Sequence, residues 1–118
     1  EFGVLPEVEC IPSQINQVFM NLLVNAAQAI PERGTITLRT RDLGDHVCVE
    51  IADTGSGIPQ DIIKRIFDPF FTTKPVGKGT GLGLSIAKEL VSIHKGTITA
   101  ASVPGNGTTF IIILPKAL

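Results

Sequence analysis

Glycines alternate with other residues in the stretch 77–83, which reads Gly-Lys-Gly-Thr-Gly-Leu-Gly. Because glycine has no side chain, the backbone amides of such a stretch can approach a ligand closely. A helical apolar pattern follows directly, and the N-terminus of a helix offers unpaired N–H groups and partial positive charge. The stretch therefore predicts a site for an anion such as a phosphate, although a simple hinge would give the same glycine spacing.

A single carboxylate at the end of a predicted strand is the second candidate. Asp53 is followed by Gly55 and Gly57, which permit close approach of the backbone to a ligand. An ordinary Asx turn would explain the sequence Asp-Thr-Gly at 53–55, but it would not require the second glycine. The pattern therefore favours a binding loop over a plain turn.

Uncharged amides fall in one row on a predicted helix, at Gln17, Asn21, Asn25 and Gln28. Their spacing of three or four residues places each beside the next. A solvated face is the alternative, but such faces favour Glu and Lys, which have higher helix propensity than Asn. An asparagine within a helix also competes with the backbone hydrogen bonds. We therefore interpret the row as facing a ligand.

The elements that must position these residues follow from hydrophobic periodicity and turn signals. Strands are predicted at 4–10, 35–41, 46–52, 97–103 and 108–114, and helices at 12–30, 59–67 and 84–95, with Gly96 capping the last helix. A lid-like loop without regular structure is predicted between 68 and 82. This order predicts an α+β two-layer sandwich, with three helices on one face of a mixed, largely antiparallel sheet. The apolar last strand is predicted to be central and covered on both faces.

Composition is consistent with one packed domain spanning residues 1–118. Hydrophobic residues make up 43% and charged residues 18% of the chain, as in globular proteins. The formal net charge of −1 disfavours binding to nucleic acid or to an anionic membrane surface as the main activity. Cys10 and Cys48 are predicted to be buried free thiols in a reducing compartment. No run approaches the length of a membrane span.

Four separated features of the sequence, taken together, resemble the N, G1, G2 and G3 boxes of the ATP-binding catalytic domain of sensor histidine kinases. The features are Asn21-x-x-x-Asn25, Asp53-x-Gly55-x-Gly57, the glycine stretch 77–83 and Gly105-x-Gly107-Thr108. Residues 67–71, Phe-Asp-Pro-Phe-Phe, look like the F box of the same family, and residues 25–30 are similar to its nitrogen-regulation subgroup. The resemblance covers about residues 15–114. It implies the Bergerat fold of the wider superfamily of gyrase, Hsp90 and MutL, in which ATP lies between helices and sheet under a lid.

The resemblance also implies roles for individual residues. Asp53 would accept a hydrogen bond from the adenine amine, assisted by Thr108, and Asn25 would ligate Mg²⁺ through its amide oxygen. Residues 79–84 would hold the phosphates with Lys74 or Lys78. Other kinases have a lysine and an aromatic residue at the places of Gln28 and Ala29. The ATP-binding set is then Asn25, Ala29, Asp53, Gly55, Gly57, Ile58, Lys74, Lys78, Gly79, Thr80, Gly81, Leu82, Gly83, Leu84 and Thr108.

Asn21 marks the departure from the hydrolytic members of the superfamily, which carry a glutamate there as general base. An asparagine cannot take up a proton at ordinary pH. The resemblance therefore implies a cytoplasmic kinase fragment, with Asn21 as its catalytic residue, that binds Mg–ATP, hydrolyses it poorly and transfers the γ-phosphate to a histidine on a separate dimerisation domain. A response regulator would act downstream. An ATP-driven conformational module and a nucleotide-binding regulatory domain are the alternatives.

Neither histidine of the chain has the neighbours of a phosphoacceptor. His46 precedes a strand and His94 lies near a helix end, and neither is followed by an acidic residue and Thr or Asn. Both are predicted to be structural. At a helix C-terminus, partial positive charge on His94 would be favourable.

Overall fold

The structure is a computed structural model that describes residues 11–30, 32–71 and 83–117. Its helices are α1 (Pro12–Ala29) and α2 (Gly83–Ile93), and its strands are β1 (Ile36–Asp42), β2 (His46–Asp53), β3 (Thr97–Ser102) and β4 (Thr108–Pro115). This arrangement confirms the α+β class. The strand predicted at 4–10, Cys10 and the part of the predicted lid at 72–82 lie outside the described residues.

The four strands form one sheet in the order β1-β2-β4-β3, and each of the three described pairings is antiparallel. The expected mixed character is therefore not seen among the described strands. The register places Asp53 opposite Thr108, and Thr108 opposite Ser102. Residues from three adjacent strands thus form a row at one end of the sheet, where β2 and β3 end and β4 begins.

Both helices lie on the same face of the sheet and cover a single core. Apolar residues of α1 recur at helical spacing on its buried side, and alternate residues of the central strand β4 meet them. Full burial of a large side chain such as Leu22 or Phe110, both 0% exposed, stabilises the fold by about 1.5–3 kcal/mol. The core residues are Ile15, Val18, Leu22, Val47, Val49, Ile51, Ile66, Ala87, Val91, Ile98, Phe110, Ile112 and Leu114.

The central position predicted for β4 is confirmed, but its predicted burial on both faces is wrong. Ile111 and Ile113 point away from the helices and are only partly buried. The reason is that α1 and α2 cover one face of the sheet. An apolar run alone does not distinguish a strand buried on both faces from one buried on a single face.

The helix predicted at 59–67 is largely absent. A single turn of 3₁₀-helix, Ile63–Arg65, lies there between other turns. Few residues separate Pro59 from Pro69, and so short a helix has little stability of its own. The predicted apolar face is nevertheless confirmed, since Ile66 is buried and the Phe67 ring packs edge-on against Phe110 with centroids 6.2 Å apart.

The C-terminus of α2 is closed by Lys95, which has the left-handed φ of 61° that the sequence assigned to Gly96. The Gly96 N–H donates to the Val91 carbonyl and the Lys95 N–H to that of Ser92, as in a Schellman motif. Gly96 is required for another reason. A Cβ atom there would come within 2.4 Å of the Ile113 carbonyl oxygen, so glycine allows the chain to pass close to β4.

His94 is structural, as predicted, but it does not carry positive charge in this environment. Its Nε2 accepts the Ile11 N–H at 3.0 Å, and its Nδ1 lies 2.9 Å from the Leu90 carbonyl oxygen. Since the first bond needs a lone pair on Nε2 and the second a proton on Nδ1, the ring is neutral. The side chain is 2% exposed and links the start of α1 to the end of α2.

The loop after β2 and the β3–β4 turn are held together by close backbone contacts. Gly107 has a φ of 89°, and a Cβ atom there would lie 2.0 Å from the Asp53 carbonyl oxygen. Gly57 has a φ of 76° and approaches the Val103 carbonyl in the same way, at 2.5 Å from a built Cβ. The Gly105 N–H also donates to the Ser56 carbonyl at 2.8 Å. These contacts fix the end of the sheet where Asp53 lies.

Replacing His94 with Ala is expected to lower the free energy of unfolding by about 2–4 kcal/mol, because a buried ring is lost and the Ile11 N–H loses its acceptor. The control is His46→Ala. The His46 side chain is 42% exposed and pairs with the exposed Asp45, so its loss should change stability by at most about 0.5 kcal/mol. Equal losses for the two variants in urea denaturation would contradict a linking role for His94.

Gly107→Ala and Gly105→Ala form a matched pair, because both glycines have left-handed φ but only Gly107 meets another chain segment closely. Gly105 has a φ of 84° with nothing within 4 Å of a built Cβ. Each variant carries a backbone cost of about 1–2 kcal/mol. Gly107→Ala must in addition push Asp53 away, and we expect at least about 2 kcal/mol more destabilisation, measured by chemical denaturation. Similar losses in the two variants would argue against the close contact.

Candidate functional site

Asp53 presents a buried carboxylate with one oxygen unpartnered. Its Oδ1 accepts the Gly55 N–H at 2.8 Å, which is the Asx turn anticipated as the plain alternative. Its Oδ2 is buried and has no hydrogen-bond partner in the part of the chain that the structure describes. A buried acceptor without a donor costs free energy. The turn therefore accounts for one oxygen, and no described residue accounts for the other.

Gly55 brings this loop against the C-terminal end of α1. A Cβ atom at Gly55 would lie 2.5 Å from the Ala29 carbonyl oxygen, and the Ser56 N–H donates to that same oxygen at 3.2 Å. Only glycine permits this packing. The structure thus brings together Ala29, Gly55 and Asp53, three of the residues that the sequence placed in the ATP-binding set.

Gly57 and Ile58 continue the loop onto the β3–β4 hairpin. The Ile58 N–H donates to the Ser102 hydroxyl at 2.7 Å, and that hydroxyl lies 3.0 Å from the Thr108 hydroxyl. Thr108 is buried directly opposite Asp53 in the sheet. Ser102 was not predicted from the sequence. The signal that could have found it is its place opposite Thr108 across the predicted hairpin.

Asn21 joins the two helices. Its Nδ2 donates to the Gly83 carbonyl at 3.0 Å, and its Oδ1 accepts from Gln17 Nε2 at 2.7 Å. Both polar ends of the amide are therefore engaged. The contact places the predicted catalytic residue next to the first residue of α2, the end of that helix which carries partial positive charge.

The four amide side chains in the row on α1 differ in their exposure. Gln17 and Gln28 are exposed, whereas Asn21 and Asn25 are partly buried. An amide oxygen such as that of Asn25 is a hard ligand suited to Mg²⁺. Among the described residues no group of three or more His, Cys, Asp or Glu could hold a metal ion.

Leu84 packs partly buried against the core at the start of α2. The other predicted phosphate ligands lie outside the described residues: Lys74, Lys78, Gly79, Thr80, Gly81 and Leu82.

Of the helices that the structure describes, neither is long and apolar enough to cross a membrane.

Charged pairs lie at the opposite end of β2 from Asp53. Lys116 Nζ is 2.9 Å from Asp42 Oδ1, and this hydrogen bond lowers the pKa of Asp42 below its usual 3.8. A hydrogen bond from His46 likewise lowers the pKa of Asp45. Both carboxylates are exposed at the β1–β2 turn. They therefore belong to the hairpin and not to the candidate site.

Comparison with known protein sequences identifies one family and relatives that are sensor kinases. The family described as histidine kinase-, DNA gyrase B- and HSP90-like ATPase matches residues 10–118. The chain is 48% identical over 120 residues to the sensor kinase CckA of Brucella abortus, an alignment covering 89% of the chain and 13% of CckA. It is 43% identical over 111 residues to the sensor histidine kinase ZraS of Escherichia coli, covering 94% of the chain and 23% of ZraS. The chain thus spans less than a quarter of either relative.

Solved structures agree with this assignment. The catalytic domain of the histidine kinase ThkA superimposes with a TM-score of 0.83 at 39% identity, covering 93% of this chain and 71% of that one. The mycobacterial sensor histidine kinase MprB gives 0.84 at 31% identity, covering 99% and 82%. Full-length ShkA, solved in complex with AMPPNP, gives 0.84 at 30% identity, covering 94% and 23%. The chain therefore belongs to the family of histidine kinase-, DNA gyrase B- and HSP90-like ATPases and has the fold of histidine kinase catalytic domains.

Proposed function

We propose that residues 1–118 are the ATP-binding catalytic domain of a sensor histidine kinase. It binds Mg–ATP and donates the γ-phosphate to a histidine on a separate dimerisation domain of the same parent protein, from which a response regulator is phosphorylated. The observation that carries this proposal is the buried Asp53 Oδ2, which has no hydrogen-bond partner among the described residues and lies in a loop of closely packed glycines. We further propose that the domain works in the cytoplasm.

The chemistry of Asp53 favours adenine. An ionised carboxylate only accepts hydrogen bonds, so Oδ2 needs a donor, and adenine presents an exocyclic amine. Guanine presents a carbonyl oxygen at the same place, which would leave two acceptors facing each other. A charge-assisted hydrogen bond of about 1.5–3 kcal/mol corresponds to roughly 10- to 100-fold in affinity. The neighbour ShkA, whose structure holds AMPPNP, supports an adenine nucleotide as the ligand.

Other residues of the site would contact the base, the magnesium ion and the phosphates. Gly55, packed on the Ala29 carbonyl, keeps side-chain atoms away from the place where the base would lie. Asn25, one turn beyond Asn21 on α1, would supply an amide oxygen to Mg²⁺. The ion would neutralise phosphate charge when bound. Gly83 and Leu84, the first described residues of α2, would lie on the phosphate side of the site, near the partial positive charge of the helix start.

Asn21 indicates transfer of the phosphoryl group to another molecule and not hydrolysis. Its amide donates to the Gly83 carbonyl and accepts from the Gln17 side chain. An amide cannot remove a proton from water. Phosphoryl transfer depends mainly on positioning and charge neutralisation. Asn21 would order the N-terminus of α2 and leave activation of the nucleophile to the acceptor histidine. An ATP-driven conformational module would need a general base that this position does not provide.

Asp53→Asn isolates the proposed role of Oδ2, because the amide oxygen can still accept the Gly55 N–H while the amide nitrogen replaces Oδ2. We expect calorimetric affinity for a non-hydrolysable ATP analogue with Mg²⁺ to fall by about 10- to 100-fold. Affinity for the inosine analogue, which has a 6-oxo group, should fall less or rise. Asp42→Asn, at the exposed far end of the sheet, is the control and should bind as the unsubstituted chain does. Unchanged ATP-analogue affinity in Asp53→Asn would contradict the proposed site.

Phosphotransfer can be measured by mixing the chain with the phosphoacceptor domain of its parent protein and γ-labelled ATP. We expect acid-labile label on that domain, dependent on Mg²⁺, with little release of free phosphate by the chain alone. Asn21→Glu should increase the release of phosphate, because a carboxylate can act as a general base. Rapid hydrolysis by the unsubstituted chain, without transfer, would instead indicate an ATP-driven module.

A further inference from the structure

The Ser102 hydroxyl lies where the loop after β2 meets the β3–β4 hairpin. Its Oγ accepts the Ile58 N–H at 2.7 Å, lies 2.8 Å from the Gly107 carbonyl oxygen and lies 3.0 Å from Thr108 Oγ1. The Ser102 carbonyl accepts from Gln60 Nε2 at 2.6 Å. One hydroxyl thus contacts three groups of the segments that surround Asp53.

Counting protons fixes the direction of each of these hydrogen bonds. A serine hydroxyl has one proton and two lone pairs. The Gly107 carbonyl oxygen can only accept, so it receives the Ser102 proton, and the Ile58 N–H takes one lone pair. The contact with Thr108 must then use the second lone pair. Thr108 is therefore the donor to Ser102, and its own proton points away from Asp53.

We propose that Ser102 is a positioning residue for recognition of the nucleotide base: by taking the Thr108 proton, it turns the Thr108 oxygen into a fixed acceptor beside Asp53. The proposal rests on the proposed adenine site. Thr108 and Asp53 stand directly opposite each other in the register and are both buried. Opposed side chains of an antiparallel pair lie close enough to contact one ligand.

The consequence concerns discrimination between purines at position 6. With Ser102 present, the base meets two acceptors, Asp53 Oδ2 and Thr108 Oγ1. Both can accept a hydrogen bond from an amine at position 6 or from a water molecule bound to that amine. A 6-oxo purine would place its carbonyl against both. Without Ser102, the Thr108 hydroxyl is free to rotate and donate, which would satisfy a 6-oxo group. Ser102 therefore acts on the preference for adenine and not only on overall affinity.

The test compares the affinities of non-hydrolysable ATP and ITP analogues, with Mg²⁺, as a ratio for each variant. Ser102→Ala is expected to reduce the preference for the ATP analogue by about 5- to 10-fold. Ser102→Thr, which keeps the hydroxyl, should retain the preference to within about twofold. If Ser102→Ala fails to unfold cooperatively, Ser102→Cys replaces it, since a thiol is a weak donor and acceptor and should give an intermediate preference.

A double-mutant cycle separates this role from support of the loop. In a Thr108→Val background, Ser102→Ala should change the ratio by less than about twofold, because the hydroxyl that Ser102 orients is absent. Equal weakening of both analogues by Ser102→Ala, with the ratio unchanged, would overturn the positioning role while the adenine site stands. Failure of the unsubstituted chain to bind either analogue would overturn the adenine site and this inference together.

Discussion

The close approach of Gly107 to the Asp53 carbonyl determines how the β3–β4 turn fits against the end of β2. A side chain at residue 107 would overlap that oxygen, with a built Cβ only 2.0 Å away. Glycine permits the β3–β4 turn to close over the end of β2, and the left-handed φ of 89° there is open to glycine at little cost. Asp53, Thr108 and Ser102 then stand in one row across three strands.

Burial of the Asp53 carboxylate is the basis of the ligand selectivity that we propose for the chain. The Gly55 N–H satisfies Oδ1, while Oδ2 has no donor among the described residues. That cost is tolerated because helices α1 and α2, packed on one face of the sheet, hold the loops in place through the core. A ligand with a well-placed N–H relieves the cost, and one with a carbonyl there increases it.

The sequence was sufficient for those features that depend on local pattern. The helical period of α1, the two hairpins and the Asp-x-Gly-x-Gly loop all follow from residue spacing, and the structure contains them. The motifs also identified the family correctly. These features are predictable because neighbouring residues alone determine helix periodicity, turn geometry and the position of a strand end.

Features that depend on contacts between distant segments could not be predicted in the same way. Gly96 takes part in the helix cap through its N–H, but Lys95 adopts the left-handed conformation, and glycine is required at 96 because the chain passes close to Ile113. His94 seemed suited to carry charge, yet a donor from Ile11, 83 residues away in the chain, requires it to be neutral. Ser102 accepts the Ile58 N–H, 44 residues away in the chain, a contact that the hairpin pattern does not reveal. Each outcome depends on packing between elements, which residue spacing does not encode.

A crystal structure of the chain with Mg²⁺ and a non-hydrolysable ATP analogue tests the central claim most directly. The account predicts the exocyclic nitrogen of the base at about 2.7–3.2 Å from Asp53 Oδ2, with the Thr108 hydroxyl oxygen on the same edge of the base. A base bound elsewhere, with Asp53 Oδ2 still lacking a donor, would contradict the account.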